Sequence, residues 1–328
     1  MRTPRGRGRR GPGVLLVGYG PRGRSWHSEL GRVAFVEAVV DPDPAAREAA
    51  GRAGLVAHAS LPGALASTNA DAAIVASPAD CHAQQAVACL EAGLAVLVEK
   101  PLATSYEDGA RVARASEQSG RPALVGQNFR YRSWQLAVQR ALPLIGAPRR
   151  GVVISARPAT VARPAVTAMP HGALWDIGVH HLDLLLVRFG SDVTGVRGEA
   201  RARRGGDPAE VEYVVELEWA NGPSVLYRHA EGPPLFHHYE WIEGDRGALA
   251  VENNRVNLVS ADHRPRRIRA RAALTPERVI LDGLLRSIAT GEDSPLAAGH
   301  NLATIALVEA AVRSIDTARE VDLKEIAR

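Results

Sequence analysis

Three groups of residues in this chain have types and spacings suited to chemistry. The first is Gly18, Gly20 and Gly23 in VLLVGYGPRG, a G-x-G-x-x-G run between a β-branched stretch and a helical one, with Tyr19 and Arg22 inside the loop. Glycines so spaced let the backbone turn tightly and bring a helix N-terminus against a pyrophosphate. Asp41 stands eighteen residues past Gly23, at the end of the second apolar run. A carboxylate there accepts hydrogen bonds from the adenosine ribose hydroxyls and repels a 2′-phosphate. Pro42 offers no donor, so the loop favours NAD over NADP. The plainer alternative is a glycine-rich turn in an α/β domain that binds nothing.

The second group is Glu99, Lys100 and Pro101 in VLVEKPLA. Of the forty basic residues only Lys100 and Lys324 are lysine. Glu99 and Lys100 follow a buried strand, LAVLV, and emerge at a strand's carboxyl end, where doubly wound sheets bind ligands. Pro101 biases Lys100 toward an extended backbone. A surface ion pair is the competing account.

The third group is WDIGVHHLD. Asp176, His180 and Asp183 fall at i, i+4 and i+7, so one helix face presents carboxylate, imidazole and carboxylate. A carboxylate one turn from a histidine orients its ring and stabilises the imidazolium, as a general base requires. Adjacent His180 and His181 point about 100° apart on a helix and are poorly placed to share an ion, so no metal is expected. A satisfied, partly buried polar helix is the bland reading of the same residues.

The elements that must hold these groups follow from pattern. From Val14 to about Gln127, the runs VLLV, FVEAVVD, AAIVAS, LAVLVEK and PALVGQ alternate with capped helical segments, which predicts a parallel Rossmann sheet with crossover helices. Ser77 reads as an N-cap, with Pro78 first in the helix and Asp80 completing the box; Thr104 and Glu107 repeat it. Gly93 and Gly120 read as helix ends. Beyond Phe129 a helix through SWQLAVQRAL, a strand in RRGVVISARP and a helix at ALWDIGVHHLDLLLVRF precede strict alternation in EVEYVVELEW, a half-exposed antiparallel strand. The expected fold class is α/β, a doubly wound Rossmann domain followed by an α+β domain with an open, largely antiparallel sheet. The boundaries predicted are a basic disordered arm at 1–11, a dinucleotide-binding domain at 12–127 and a substrate-binding and oligomerisation domain at 128–328. RARRGGDPAE and ADHRPRRIRARAA read as solvated loops.

Composition narrows the function classes. Five arginines lie in the first ten residues, so the net charge of +4 belongs to the arm and not the body, and no nucleic acid is expected as a partner. No run approaches the roughly 20 apolar residues of a membrane span. Cys81 and Cys89, eight apart in one expected helix, point to reduced core thiols and a cytoplasmic location.

Together these residues resemble the glucose-fructose oxidoreductase / inositol dehydrogenase (Gfo/Idh/MocA) family. G-x-G-x-x-G, E-K-P and D-x-G-x-H at their separations, SPADCHAQQAVACLEAGLAVLVEKPLA, GQNFRYR and the C-terminal LLRSIATGEDSPLAAGHNLATIALVEAAVRSIDTAREVDL carry the likeness. The resemblance implies catalytic roles for Lys100, Asp176 and His180. It implies that Glu99 and Asn128 lie beside the nicotinamide, that Ser77, Pro78 and His82 line the dinucleotide cleft, and that Arg130 and Asp183 face the substrate. It implies an NAD-dependent interconversion of a secondary alcohol and a ketone on a sugar, polyol or cyclitol, by a homodimer or homotetramer assembled through the open sheet. The chain departs from the family at Trp26, where a histidine is frequent, and at AMPHGAL, where many members carry a glycine run. The loop ARPATVARPAVTAMPHG offers no carboxylate or amide assignable to a sugar. A non-catalytic dinucleotide-binding regulator and a hydrolase using bound NAD for transient oxidation are the other classes the fold permits.

Lysine is a compact, strongly hydrated charge whose pKa neighbours can tune, whereas arginine is larger and permanently charged. Lys100→Arg is therefore expected to depress turnover strongly in protein that still folds and binds NAD, while Lys324→Arg changes nothing. Steady-state rates of both variants check this, and a fully active Lys100→Arg returns Lys100 to a surface role.

Overall fold

The computed structural model describes residues 11–31, 33–158, 169–202, 211–220, 222–260 and 264–327. The basic arm, save Gly11, lies outside the described residues, as do 159–168 of the loop after Ala156 and most of RARRGGDPAE. The chain divides into two units.

In the first unit the apolar runs become β1 (Gly13–Val17), β2 (Phe35–Val40), β3 (Ala57–His58), β4 (Ala72–Val75), β5 (Ala95–Val98) and β6 (Ala123–Val125). They pair in parallel in the order β3-β2-β1-β4-β5-β6. Every residue of β1, β4, β5 and β6 is buried. Helices cover both faces of such a sheet, and each buried Val, Leu or Ile contributes roughly 1.5–3 kcal/mol, so these strands read as continuous apolar runs without alternation. The two-residue β3 is too short to leave a pattern.

The connecting helices are α1 (Pro21–Leu30), α2 (Pro44–Arg52), α3 (Leu61–Ser67), α4 (His82–Glu91) and α5 (Tyr106–Ser119). Two expected caps are corrected. Ser77 caps nothing; its hydroxyl donates to Gln85 Oε1 at 2.5 Å, and Pro78 leads into a 3-10 turn, Ala79–Cys81, before α4 begins. The α5 cap is Ser105, one residue after the expected Thr104, because its hydroxyl rather than threonine's reaches the Asp108 N–H. Cys81 thus precedes α4, while Cys89 is buried within it and its thiol is pushed up to about 12 by that burial.

The second unit begins with a 3-10 turn, Asn128–Tyr131, and α6 (Ser133–Ala141). Its sheet comprises β7 (Pro148–Arg157), β8 (Val193–Ala202), β9 (Val211–Trp219), β10 (Ser224–Glu231), β11 (His237–Gly244), β12 (Gly247–Glu252), β13 (Arg255–Ser260) and β14 (Pro265–Ile268). The order is β14-β13-β12-β11-β7-β10-β9-β8, antiparallel except for the parallel pair β7 and β10. In β9, Tyr213, Val215, Leu217 and Trp219 are buried and Glu216 and Glu218 exposed, the alternation expected. β14 lies inside the stretch read as a solvated loop; its Arg-rich, exposed sequence suits a short charged edge strand.

The expected single helix at 173–189 is in two parts. Leu174–Gly178 forms a π-helical turn, and α7 (Val179–Phe189) continues from it. Two further helices follow, α8 (Pro276–Thr290) and α9 (Ala298–Thr317). Glu277–Leu302 groups with the first unit, whereas the sequence pattern assigns 128–328 to the second. The reason is local: Val125 N–H donates to Leu296 O at 2.8 Å, and Leu124 bridges Ala297, so this segment extends the edge at β6.

Beneath α6 and α7 the second unit has an apolar core that includes Trp134, Val138, Leu184, Ile242 and Leu249. At its margin lies a fully buried ion pair, with Arg188 donating to Glu240 at 2.7 Å and His238 Nε2 donating to the other Glu240 oxygen at 2.9 Å. Burial alone raises the Glu240 carboxyl, but Arg188 and His238 outweigh it and bring it down to about 2. Because the folded value lies below the usual carboxylate range, the stabilisation is complete above the ordinary pKa and disappears as pH falls toward 2. Glu240→Gln leaves Arg188 buried without its anion and is expected to cost about 3–5 kcal/mol near neutrality. Urea unfolding from pH 7 to 2 should show the variant weaker at pH 7 and its stability falling less steeply below about pH 4.5.

Candidate active site

Each unit carries its own group of functional side chains. In the first, β1 runs into the glycine loop beside β4, the switch point where strand order reverses and doubly wound sheets bind ligands. Gly18 has φ +91°, and a Cβ there would lie 2.8 Å from the Ala76 carbonyl. A Cβ on Gly23 would lie 2.0 Å from Gly18 O. Both positions are closed by backbone. At Gly20, the N-cap of α1, a Cβ would meet nothing within 4 Å, so the middle glycine faces open space at a helix N-terminus with Pro21 first in the helix. This is the shape a pyrophosphate needs.

Asp41 is buried at the end of β2. One carboxylate oxygen accepts the Tyr19 N–H at 2.7 Å and the other the Asp43 N–H at 2.9 Å. The carboxylate therefore fixes the glycine loop, with acceptor capacity left on both oxygens. The Tyr19 hydroxyl pairs with His27 Nδ1 at 2.8 Å. Arg47 donates to the Asp41 and Pro42 carbonyls at 2.9 and 2.7 Å.

Glu99 is buried after β5 and accepts from Trp26 Nε1 at 2.6 Å and Arg22 Nε at 3.0 Å, with a further contact from Arg22 Nη2. Arg22 also reaches Glu277 at 3.5 Å. Burial would lower the Arg22 pKa, but Glu99 and then Glu277 outweigh it, and the net shift is upward. Trp26, the departure from the family pattern, thus supplies the indole donor that Glu99 uses. Lys100 is partly exposed, and the Lys100–Pro101 bond is cis. His82, read as lining the cleft, is buried, with ring nitrogens 2.7 Å from Pro101 O and 2.9 Å from Ser77 O. Burial lowers its pKa. It ties the loop after β4 to the E-K-P turn.

In the second unit the inner face of the sheet turns polar at one end. Arg157 of β7 pairs in register with Glu231 of β10, and Ser155 lies between His229 of β10 and His238 of β11. Arg157 Nη1 donates to Asp176 at 2.7 Å and Nε to Glu231 at 3.0 Å. His229 Nε2 donates to Glu231 at 2.9 Å, and its Nδ1 lies 2.7 Å from the Ser155 hydroxyl. Asp176 and His180 are both buried. The His180 ring stacks on Phe129, centroids 4.1 Å apart and planes within 4°, while the Arg132 guanidinium lies 4.0 Å from the Phe129 centroid. A planar partner of this kind fixes the imidazole's orientation.

Asp183 lies apart from this group in its bonding. Its carboxylate is gripped by both Nε and Nη2 of Arg130, at 2.7 and 2.6 Å, and accepts from Thr304 Oγ1 at 2.9 Å. The two residues expected to face substrate therefore neutralise one another. His181 turns to Tyr227 and His238, and burial, then His238, hold its pKa well below the usual imidazole range. Asn128 begins the 3-10 turn that presents Phe129. Sequence reasoning missed Phe129, Arg157, Glu231 and His229. The alternation that puts Arg157 and Ser155 on one face of β7, and His229 and Glu231 on one face of β10, was the signal available.

Residues 13–127 match the family model GFO_IDH_MocA, described as an oxidoreductase family with an NAD-binding Rossmann fold, and residues 144–230 match the model of the GFO/IDH/MocA C-terminal domain. Inositol 2-dehydrogenase 2 of Saccharopolyspora erythraea is 33% identical over 58% of this chain and 58% of its own. Inositol 2-dehydrogenase of Rhizobium meliloti is 24% identical over 88% and 92%. The chain spans 34–58% of the length of the curated relatives it matches at 33–37% identity. Among solved structures, UDP-N-acetylglucosamine 3-dehydrogenase of Acidithiobacillus ferrooxidans shares the fold with a TM-score of 0.82 at 18% identity, over 93% of this chain and 98% of that one.

The glycine geometry separates folding from ligand approach. Gly20→Ala adds a methyl group to open space and is expected to leave the melting temperature nearly unchanged while weakening NAD binding at least about tenfold. Gly23→Ala drives a methyl group into Gly18 O and should lower the melting temperature sharply. Thermal melts and NAD titrations by fluorescence check both.

Proposed function

The chain belongs to the Gfo/Idh/MocA oxidoreductase family, and from that premise we propose that it is an NAD-dependent dehydrogenase acting on a secondary alcohol of a sugar, polyol or cyclitol, or on the corresponding ketone. The observation that carries this reading is an open phosphate cradle at Gly20 in a chain that also holds a buried, stacked imidazole, His180, one helical turn from a fixed carboxylate, Asp176. The cradle fits a dinucleotide pyrophosphate, and Asp41 retains acceptor capacity for ribose hydroxyls. NAD, when bound, supplies the acceptor for the two electrons leaving the alcohol carbon.

The protein's part is proton handling and charge. His180 takes the hydroxyl proton, held in orientation by Phe129 and by Asp176, and Lys100 stabilises the negative charge developing on the substrate oxygen. Positioned acid–base groups of this kind contribute roughly 10²- to 10⁴-fold. Reduction uses the same residues in reverse. Glu99 orders the loop through Trp26 and Arg22 beside the nicotinamide half, and Asn128 serves the same half; Ser77, Pro78 and His82 shape the backbone around it. Arg130 and Asp183 act as a braced pair behind the substrate rather than as free charges. Names of relatives such as inositol 2-dehydrogenase and D-apiose dehydrogenase support the substrate class.

Asp41 makes NAD the preferred cofactor. The outer face of the second sheet supports self-association as a dimer or tetramer: Trp241 pairs with Val152 and Val152 with Leu226, all partly exposed. Among the described residues no helix is long and apolar enough to cross a membrane, and a cytoplasmic location accords with the two free thiols.

The test is a panel of cyclitols, sugars and their keto forms with NAD and NADP, followed at the nicotinamide absorbance. Turnover on at least one secondary alcohol is expected, faster with NAD. Asp41→Ser should narrow the cofactor preference, and His180→Ala should lower turnover at least about 10²-fold with NAD affinity nearly unchanged. Equal affinity for NAD and NADP in the unmodified protein overturns the cofactor assignment, and a His180→Ala protein within a few-fold of full rate overturns the base.

A further inference from the structure

Three buried charges and an imidazole form one chain behind the catalytic helix. Arg157 Nη1 donates to Asp176 at 2.7 Å, Arg157 Nη2 lies 2.6 Å from Glu231, and His229 closes the far end on Glu231 at 2.9 Å. The Asp176, Arg157 and Glu231 side chains are each at most 10% exposed. A surface brace would not need this arrangement, since a buried carboxylate could be met by one neutral donor at lower desolvation cost. Here a permanent cation spans two acids. Burial would lower the Arg157 pKa, but the hydrogen bonds it donates to Glu231 and Asp176 outweigh it and the net shift is upward, so the cation persists at every working pH.

On the reading of Asp176 and His180 as an acid–base pair, we infer that Arg157 is a positioning residue. It fixes Asp176 as a carboxylate in one orientation and cancels part of the field that Asp176 exerts on His180. An uncompensated carboxylate one turn away would favour the imidazolium and occupy the base with a proton before substrate arrives. With Arg157 in place His180 stays able to accept. Glu231 and His229 set the opposite limit, holding the guanidinium so that it neutralises Asp176 only in part. Other charged or titratable groups among the described residues of this unit have partners of their own. Asp183 is paired with Arg130, Arg132 stacks on Phe129, His181 faces Tyr227 and His238, and Tyr213 of β9 is raised to about 12 by burial and then by Glu231.

The inference is tested by following the His180 ring in the full-length protein labelled with ¹⁵N-histidine, its signal assigned by loss in His180→Asn. In Arg157→Gln/Glu231→Gln the guanidinium that donates to Asp176 is gone, and the His180 midpoint is expected to rise by about one pH unit. In Glu231→Gln alone, Arg157 still holds Asp176, and the midpoint should move by no more than a few tenths. Melting temperature and NAD binding establish that each variant is folded. Where the glutamine pair does not fold, Arg157→Met/Glu231→Leu, an apolar replacement of the kind buried ion pairs tolerate, carries the same expectation. A midpoint unmoved in the folded double variant, or moved equally by Glu231→Gln alone, overturns the role of Arg157. That failure is separate from failure of the acid–base reading, which shows as turnover surviving His180→Ala whatever the ring's titration does.

Discussion

A carboxylate removed from water must be met by donors or it destabilises the fold, and that requirement organises both units of this protein. Asp41, Glu99, Asp176, Asp183, Glu231 and Glu240 are all buried. Asp41 is met by two backbone N–H groups, and so holds the glycine loop to the end of β2. Glu99 is met by an indole and a guanidinium from α1, and so holds the E-K-P turn against the same loop. The remaining four each meet an arginine: Arg157 serves Asp176 and Glu231, Arg130 serves Asp183, and Arg188 serves Glu240. An arginine fork suits these sites because its planar donors reach two acceptors at once and its charge does not titrate away.

Arginine almost wholly replaces lysine in the chain, and where arginines are buried they act as clamps with two or more fixed acceptors. The same logic separates residues that touch a ligand from those that hold the site. Arg22 lies in the phosphate loop by sequence, yet its guanidinium is committed to Glu99 and Glu277, and Arg130 is committed to Asp183. The open element of the loop is backbone, at Gly20.

The π-helical turn Leu174–Gly178 has a comparable effect at the second group. A regular helix would carry Asp176, His180 and Asp183 on one face; a wider turn at its start changes the angular relation of Asp176 to His180 and Asp183. Asp176 meets β7, Asp183 meets the turn at Asn128–Tyr131 and α9, and His180 lies on Phe129. Three residues that read as a single constellation thus have three different supports.

The sequence alone determined what depends on neighbours along the chain. Five of the six Rossmann strands, the glycine loop, Asp41 at the end of β2, the alternation in β9 and the helix bearing His180 are all written in local periodicity and turn chemistry, because burial on both faces, φ above zero and a 3.6-residue period each constrain particular residue types. The family resemblance rests on the same local motifs. Tertiary structure decided what depends on which distant side chain arrives opposite. Sequence order cannot show that Arg157 sits across the sheet from Glu231, 74 residues on, or that Glu99 accepts from Trp26, 73 residues before it. It cannot show that Glu277–Leu302 returns to the first unit, since a helix with one apolar stripe packs on whichever apolar edge is left uncovered. Nor can it show which of two adjacent threonine and serine hydroxyls reaches a helix N–H. Partner choice for a buried charge is made by strand register and helix phase together, and only the folded chain has both.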